Sequence, residues 1–216
     1  VRVSEIIKLA ETKSEETYDI DTWLGFINAA LDDLTPVAKL LKTVTISDVN
    51  IVSGGAEITI ADTDLDKAHE ILTCYAAVTL PEPLPKKQLR RLTMNDQVST
   101  GWKLTYEKLI LQGMKDAAKA DVTVDFYKKI PHVNYDEDTG VDDVPELPEQ
   151  YHGLIVLYAC AKSQQKEEEL SDKNDFFTEY LMGKNSMALD RIWEMEPQNR
   201  KFIRMARIRR TGVSEQ

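Results

Sequence analysis

Cysteine is scarce in this chain, with two residues in 216, Cys74 and Cys160, far apart in apolar stretches and without a CxxC pair. That spacing excludes a disulfide framework and predicts two buried free thiols, as suits a reducing cytoplasm. Histidine is no more plentiful. His69, His132 and His152 stand apart, none with a second His, a Cys or paired carboxylates at ligand spacing, so no metal site is expected. The chain holds no GxSxG, HExxH or GxGxxG, and Ser53-Gly54-Gly55 lacks the lysine and hydroxyl of a phosphate-cradling loop, which leaves it as turn chemistry. The run Asp136-Glu137-Asp138-Thr139-Gly140 fails as a calcium loop. Counted from Asn134, its sixth position is Thr139 where glycine is required, and its twelfth is Pro145 where a bidentate glutamate belongs. Paired carboxylates such as Asp32-Asp33 and Asp142-Asp143 identify nothing in a chain with 37 acidic residues. No catalytic residue, cofactor or metal is expected, and the protein reads as a non-enzyme. Signal peptide and long apolar run are absent too, which predicts a soluble product with no membrane partner.

Positive charge is also in deficit overall, with 27 Lys and Arg against 37 Asp and Glu and a net charge of −10. It is concentrated at one end. Residues 197–216 carry Arg200, Lys201, Arg204, Arg207, Arg209 and Arg210 against Glu215 alone, so an acidic body bears a basic tail. Such asymmetry fits a tail that docks on something negative: nucleic acid, an acidic protein or a neighbouring copy. Phe202, Ile203, Met205 and Ile208 alternate with these charges, adding apolar anchors. Elsewhere Tyr127-Lys128-Lys129 and Arg90-Arg91 read as strand-edge charge. With 42 % hydrophobic and 30 % charged residues the composition is that of a folded globular protein.

What is present is a helical period at both ends and a strand period between. Ser4 is placed to cap a short helix carrying Ile6, Ile7, Leu9 and Ala10, and Asp21 to cap a second with Trp23, Ile27, Ala30, Leu31 and Leu34 on one side and Pro36 beyond its end. Late in the chain, Pro148 and Glu149 open a helix with Tyr151, Leu154, Ile155, Tyr158 and Ala161 on one face. Ser171 and Asp172 then offer caps to another, whose stripe reads Phe177, Leu181, Ala188, Ile192 and Met195, with Phe176, Tyr180 and Met187 beside it. Two such helices form an αα-hairpin. Between the helical ends, Val44, Ile46 and Ile51 lead through Ser53-Gly54-Gly55 to Ile58 and Ile60, which reads as two strands joined by a tight connection. Ile71 to Val78 allows a helix by its length and flanks, but Thr73, Tyr75 and Val78 favour a strand, and the prolines at 81, 83 and 85 stop either; Leu89 to Leu92 reads as a short extended piece, and Trp102 to Leu111 as a hairpin about Glu107-Lys108. Val122, Val124 and Phe126 continue the alternation, and Asn134 to Val144 is acidic and loop-like.

The fold class expected is α+β: a four-helix bundle formed by the N- and C-terminal helices, with an inserted small antiparallel β domain and an extended C-terminal arm. The corresponding segments are 1–42 and 146–196 for the two bundle halves, 43–145 for the β domain and 197–216 for the arm.

One ordered succession carries a resemblance: Leu89-Arg90-Arg91-Leu92-Thr93, a helical turn about Asn95-Asp96, Gly101-Trp102, and Leu109-Ile110-Leu111. It continues with Val122 to Pro131, reading VTVDFYKKIP, and ends on Leu147-Pro148-Glu149-Gln150-Tyr151-His152 with an apolar helix following. In this order and type of elements the chain resembles the head-to-tail adaptor proteins of tailed bacteriophages, also called connector or tail tubular A proteins. The resemblance implies a virion protein, made and assembled in the bacterial cytoplasm, that forms a ring of twelve beneath the portal and extends the DNA exit channel. Implied partners are the portal protein, copies of the chain itself and a downstream tail, nozzle or tube protein, with DNA only passing through. It also implies that the C-terminal segment reaches onto the portal, which makes Arg200, Lys201, Phe202, Arg204, Arg207, Ile208, Arg209 and Arg210 the expected partner-binding residues. The alternative is a nucleic-acid-binding protein that uses the same basic tail.

Overall fold

The computed structural model describes residues 1–80, 86–92, 100–114, 119–166 and 172–195. The chain divides into two compact units, Val1–Lys39 with Ile130–Gln216, and Leu40–Lys129. The prolyl segment 81–85, the turn about Asn95-Asp96 and the basic arm lie outside the described residues.

In the first unit, α1 (Val3–Ser14) buries Val3, Ile6, Ile7 and Ala10 at helical spacing. Its cap is Arg2 and not Ser4: the Arg2 N–H donates to the Glu5 carboxylate at 2.8 Å. In α2 (Ile20–Ala38) the cap is Asp19, whose side chain accepts from the Thr22 N–H at 2.7 Å, two residues before the expected Asp21. Pro36 sits inside the last turn of α2 rather than beyond it. Its fixed φ suits a helix, but it has no N–H for the Asp32 carbonyl, so the helix gives up one bond in its last turn. A 3-10 turn, Glu149–Tyr151, leads into α3 (His152–Lys166), and α4 (Asp172–Met195) follows. α3 packs against α1, α2 and α4, and α4 also packs against α2. Leu154, Ile155, Val156, Ala159, Cys160, Ala161 and Ser163 are all buried, so α3 is enclosed on several sides and presents no single apolar stripe.

The second unit overturns the expected bundle with a small antiparallel insertion. It is a large, nearly closed, seven-stranded mixed sheet, so the chain is four helices plus a substantial β-rich unit. The strands are β1 (Leu41–Val49), β2 (Ala56–Thr59), β3 (Ala68–Leu80), β4 (Lys87–Arg91), β5 (Gly101–Leu104), β6 (Lys108–Gln112) and β7 (Lys119–Lys128), in the order β1-β7-β3-β4-β5-β6-β2. β1 and β2 do not form the hairpin that Ser53-Gly54-Gly55 suggested. β1 pairs with β7, Val44 opposite Val124, and β2 pairs with β6, Ile58 opposite Leu109. They occupy the two edges of the sheet, yet residues 50–55 join them directly. Nor is the sheet wholly antiparallel, because β4 and β5 run parallel, with Arg90 opposite Gly101. A Cβ on Gly101 would meet the Arg90 carbonyl, so glycine is what lets those strands approach. Both halves of the sheet feed one core, in which Ile58, Trp102, Leu109 and Leu111 join Cys74, Val122, Val124 and Phe126. The expected hairpin about Glu107-Lys108 does form, β5 pairing antiparallel with β6 and Trp102 opposite Leu111, but alternation assigns each side chain a face and leaves the partner strand open, which is why β1 with β2 was the wrong pairing.

Back in the helical unit, the acidic stretch expected as a loop is a small hairpin, β8 (Tyr135–Asp136) with β9 (Val141–Asp142). Gly140, at φ 72, makes its turn.

Candidate interaction surfaces

Nearby backbone and side chains hold that hairpin firmly. The Asn28 amide donates to the Val133 carbonyl at 3.2 Å and accepts its N–H at 2.9 Å, tying the segment before β8 to α2. Asp142 accepts the Ser4 N–H at 3.1 Å and the Ser4 hydroxyl at 2.7 Å, and the Val3 N–H donates to the Asp143 carbonyl at 3.0 Å, tying β9 to α1. Within the turn, the Asp136 carboxylate accepts from the Asp138 N–H at 2.9 Å and the Thr139 hydroxyl at 2.7 Å. These bonds, the Thr139 hydroxyl first, hold the Asp136 carboxyl below its ordinary range.

Between the hairpin and the start of α2 lies an open groove of about 660 Å³. Ile20, Leu24 and Val141 supply its apolar lining, and Asp21, Asp136, Glu137 and Asp138 supply carboxylates. Val141 is 41 % exposed although it is a β-branched aliphatic. Among the described residues, Asp21 and Asp138 have no partner for their carboxylates, and both are exposed. Glu137 accepts the Tyr135 hydroxyl at 2.9 Å, which pushes that phenol above its usual range.

A second polar cluster joins α2 to α4. Asp33 accepts from the Tyr180 hydroxyl and from Lys184 Nζ at 2.6 Å. Partial burial works to raise the Asp33 pKa, but the bonds from Lys184 and Tyr180 outweigh it and the carboxyl ends below its ordinary value. Tyr180 is pushed up, by burial first and by its bond to Asp33 next, and stays a protonated donor.

The stripe expected to bury α4 is displaced. Tyr180 and Met187 are fully buried, whereas Phe177, Leu181, Met182 and Leu189 are 42, 41, 69 and 44 % exposed. Gly183 explains the rotation, since a Cβ there would collide with Leu154 of α3: the helices approach where the pattern shows only a gap. Leu154, Ile155 and Ala161, expected on the inner face of α3, are buried.

At one end of the sheet, Asp64 takes Lys42 at 2.9 Å and Lys67 at 3.1 Å. Burial first, and then repulsion from Lys42 and Lys67, lowers the pKa of Lys128 beside them. Burial drives Cys74 up to about 12 and Cys160 up to about 11, so both thiols stay protonated and unreactive. His132 Nε2 lies 3.1 Å from Asp32, and His152 Nε2 lies 2.7 Å from the Leu147 carbonyl. Among the described residues, no group of three or more His, Cys, Asp or Glu could hold a metal ion, and no helix is long and apolar enough to cross a membrane. The arm residues Arg200, Lys201, Phe202, Arg204, Arg207, Ile208, Arg209 and Arg210 lie outside the described residues, so the structure gives them no place.

The family described as SU10 adaptor protein matches residues 2–206. No curated protein matches the chain.

Proposed function

The chain belongs to the SU10 adaptor protein family, whose members are phage structural adaptors, and from that premise we propose that it forms a ring beneath the portal of the virion. The ring joins head to tail, lengthens the channel through which DNA leaves, and offers its lower face to a tail, nozzle or tube protein. Twelve copies is the stoichiometry implied by the adaptor resemblance. The observation that carries this reading is the family match across residues 2–206, nearly the whole chain.

The physical chemistry supports the role. A channel that passes DNA must not hold it, and a chain of net charge −10 repels phosphate along most of its length. Residues 197–216 act as an assembly arm, with charge for steering and Phe202 and Ile208 as anchors. The test is to mix the full-length chain with portal complexes and to determine mass and image together. A ring of this chain seated on the portal's lower rim is the expected result. A chain that stays monomeric with and without portal, or that binds duplex DNA with the steep salt dependence of phosphate contacts, overturns the reading.

A further inference from the structure

The groove between α2 and the β8–β9 hairpin combines features that the fold itself does not require. Asp136 and Asp142 accept internal hydrogen bonds, whereas the Asp21 and Asp138 carboxylates have no partner among the described residues. Their charges stand exposed beside Ile20, Leu24 and Val141, which leave apolar surface in water. Like charges gathered around exposed apolar side chains are unfavourable for an isolated chain, and become favourable only when a basic, apolar ligand covers them. The site is also rigid, because Asn28, Ser4 and Val3 fasten the hairpin from both sides, so a ligand would meet a receptor already in shape.

The chain carries a ligand of that chemistry. Residues 197–216 set Arg200, Arg204, Arg207, Arg209 and Arg210 among Phe202, Ile203, Met205 and Ile208, matching carboxylates with guanidinium groups and an apolar floor with apolar side chains. We propose that this groove receives the segment 197–216 of a neighbouring copy. This rests on the ring reading above and names the contact that would close the ring. Donor segment and acceptor groove are different surfaces, so the contact is heterologous: each copy binds the next, and a closed rotation gives a ring without a free end. Twenty extended residues reach at most about 66–72 Å, enough to cross onto an adjacent subunit of this size.

The test uses the full-length chain with a photo-crosslinking amino acid at Met205, mixing ¹⁵N-labelled and unlabelled protein and recording native mass alongside. Crosslinks from position 205 to peptides spanning 134–141 should join labelled to unlabelled chains. The pair Asp21→Lys with Asp138→Lys should cut their yield at least about tenfold, as should Arg204→Glu with Arg207→Glu, and combining both pairs should restore it. The Asp21 and Asp138 changes should leave the circular dichroism spectrum near wild type and lower the melting temperature only slightly, since neither carboxylate has a side-chain partner among the described residues and Asp21 contributes only its charge to the first turn of α2. Crosslinks within one chain only, crosslinks to other peptides, transfer of all crosslinks to added portal, or indifference to charge reversal would each overturn the proposal. If rings assemble while position 205 crosslinks elsewhere, the groove assignment fails and the ring reading stands. If no ring forms with or without portal, the ring reading falls as well.

Discussion

The helical unit and the sheet unit are held together by different means. In the helical unit, segments distant in sequence are stitched by single polar side chains: Asn28 to Val133, Ser4 to Asp142, Asp33 to Tyr180 and Lys184, and Thr35 to the Ile130 N–H at 3.2 Å. In the sheet unit, long strands share backbone ladders and one apolar core from Ile51 to Phe126, while polar pairs such as Lys108 with Glu57 stay on the surface. The stitches to Asp33 and Asp142 use carboxylates, and every polar stitch loses much of its value when one partner is removed. A packed core ignores pH and responds to lost volume. The helical unit therefore relies on a carboxylate such as Asp33 to join its helices, whereas the sheet keeps its ion pairs, Lys42 with Asp64 among them, outside its apolar core.

The largest effect should come from the core of the sheet. Trp102→Ala removes an indole that is 1 % exposed and should cost about 3–5 kcal/mol. Denaturant unfolding measures the loss, and hydrogen exchange should place it in residues 40–129. Equal loss of protection in the helical unit would mean the two halves unfold as one. Met187→Ala comes next, at about 2–5 kcal/mol, because Met187 is fully buried. A variant as stable as wild type would rule out the observed rotation of α4.

Asp33→Asn should cost about 1–2 kcal/mol at neutral pH, a range kept modest because the carboxylate is partly exposed. Its sign with pH follows from the lowered folded pKa. The stabilisation is complete above the unfolded carboxyl value of about 3.9 and is lost as pH falls through the folded value. Melting temperatures of wild type and variant should therefore differ at pH 7 and converge in acid below about pH 4. A gap that persists there would mean the effect is not ionic. The smallest change expected is Leu181→Ser, within about 0.5 kcal/mol, since Leu181 faces outward. A large loss of stability there would return the helix to the stripe the sequence displays.

The helical segments were legible because a helix is a local object. Trp23, Ile27, Ala30, Leu31 and Leu34 announce α2 within three turns, and all five are buried. Capping and rotation were less so. Asp19 and Asp21 are equally plausible caps, and Gly183 marks a contact precisely by having no side chain to count. Strand identity was mostly readable as well, since Ile71 to Val78 lies within β3. Of the surfaces, the exposed charge of Asp136 to Asp138 was visible, but it read as a solvated loop because the bonds that fasten its flanks, Ser4 to Asp142 and Asn28 to Val133, join residues more than a hundred positions apart. The arm residues were legible only as composition.

By itself, then, the sequence determined the helix and strand segments, the buried free thiols, the charge imbalance and the family, because each depends on residue order or local period. Tertiary structure alone decided that β1 pairs with β7 and β2 with β6, that β4 and β5 run parallel, and that the strands make one large sheet instead of a small insertion. It also decided that an acidic hairpin stands against α2 to make a groove. Those outcomes turn on which distant segments exclude water from each other, and a period of two or of 3.6 states a face without stating a partner.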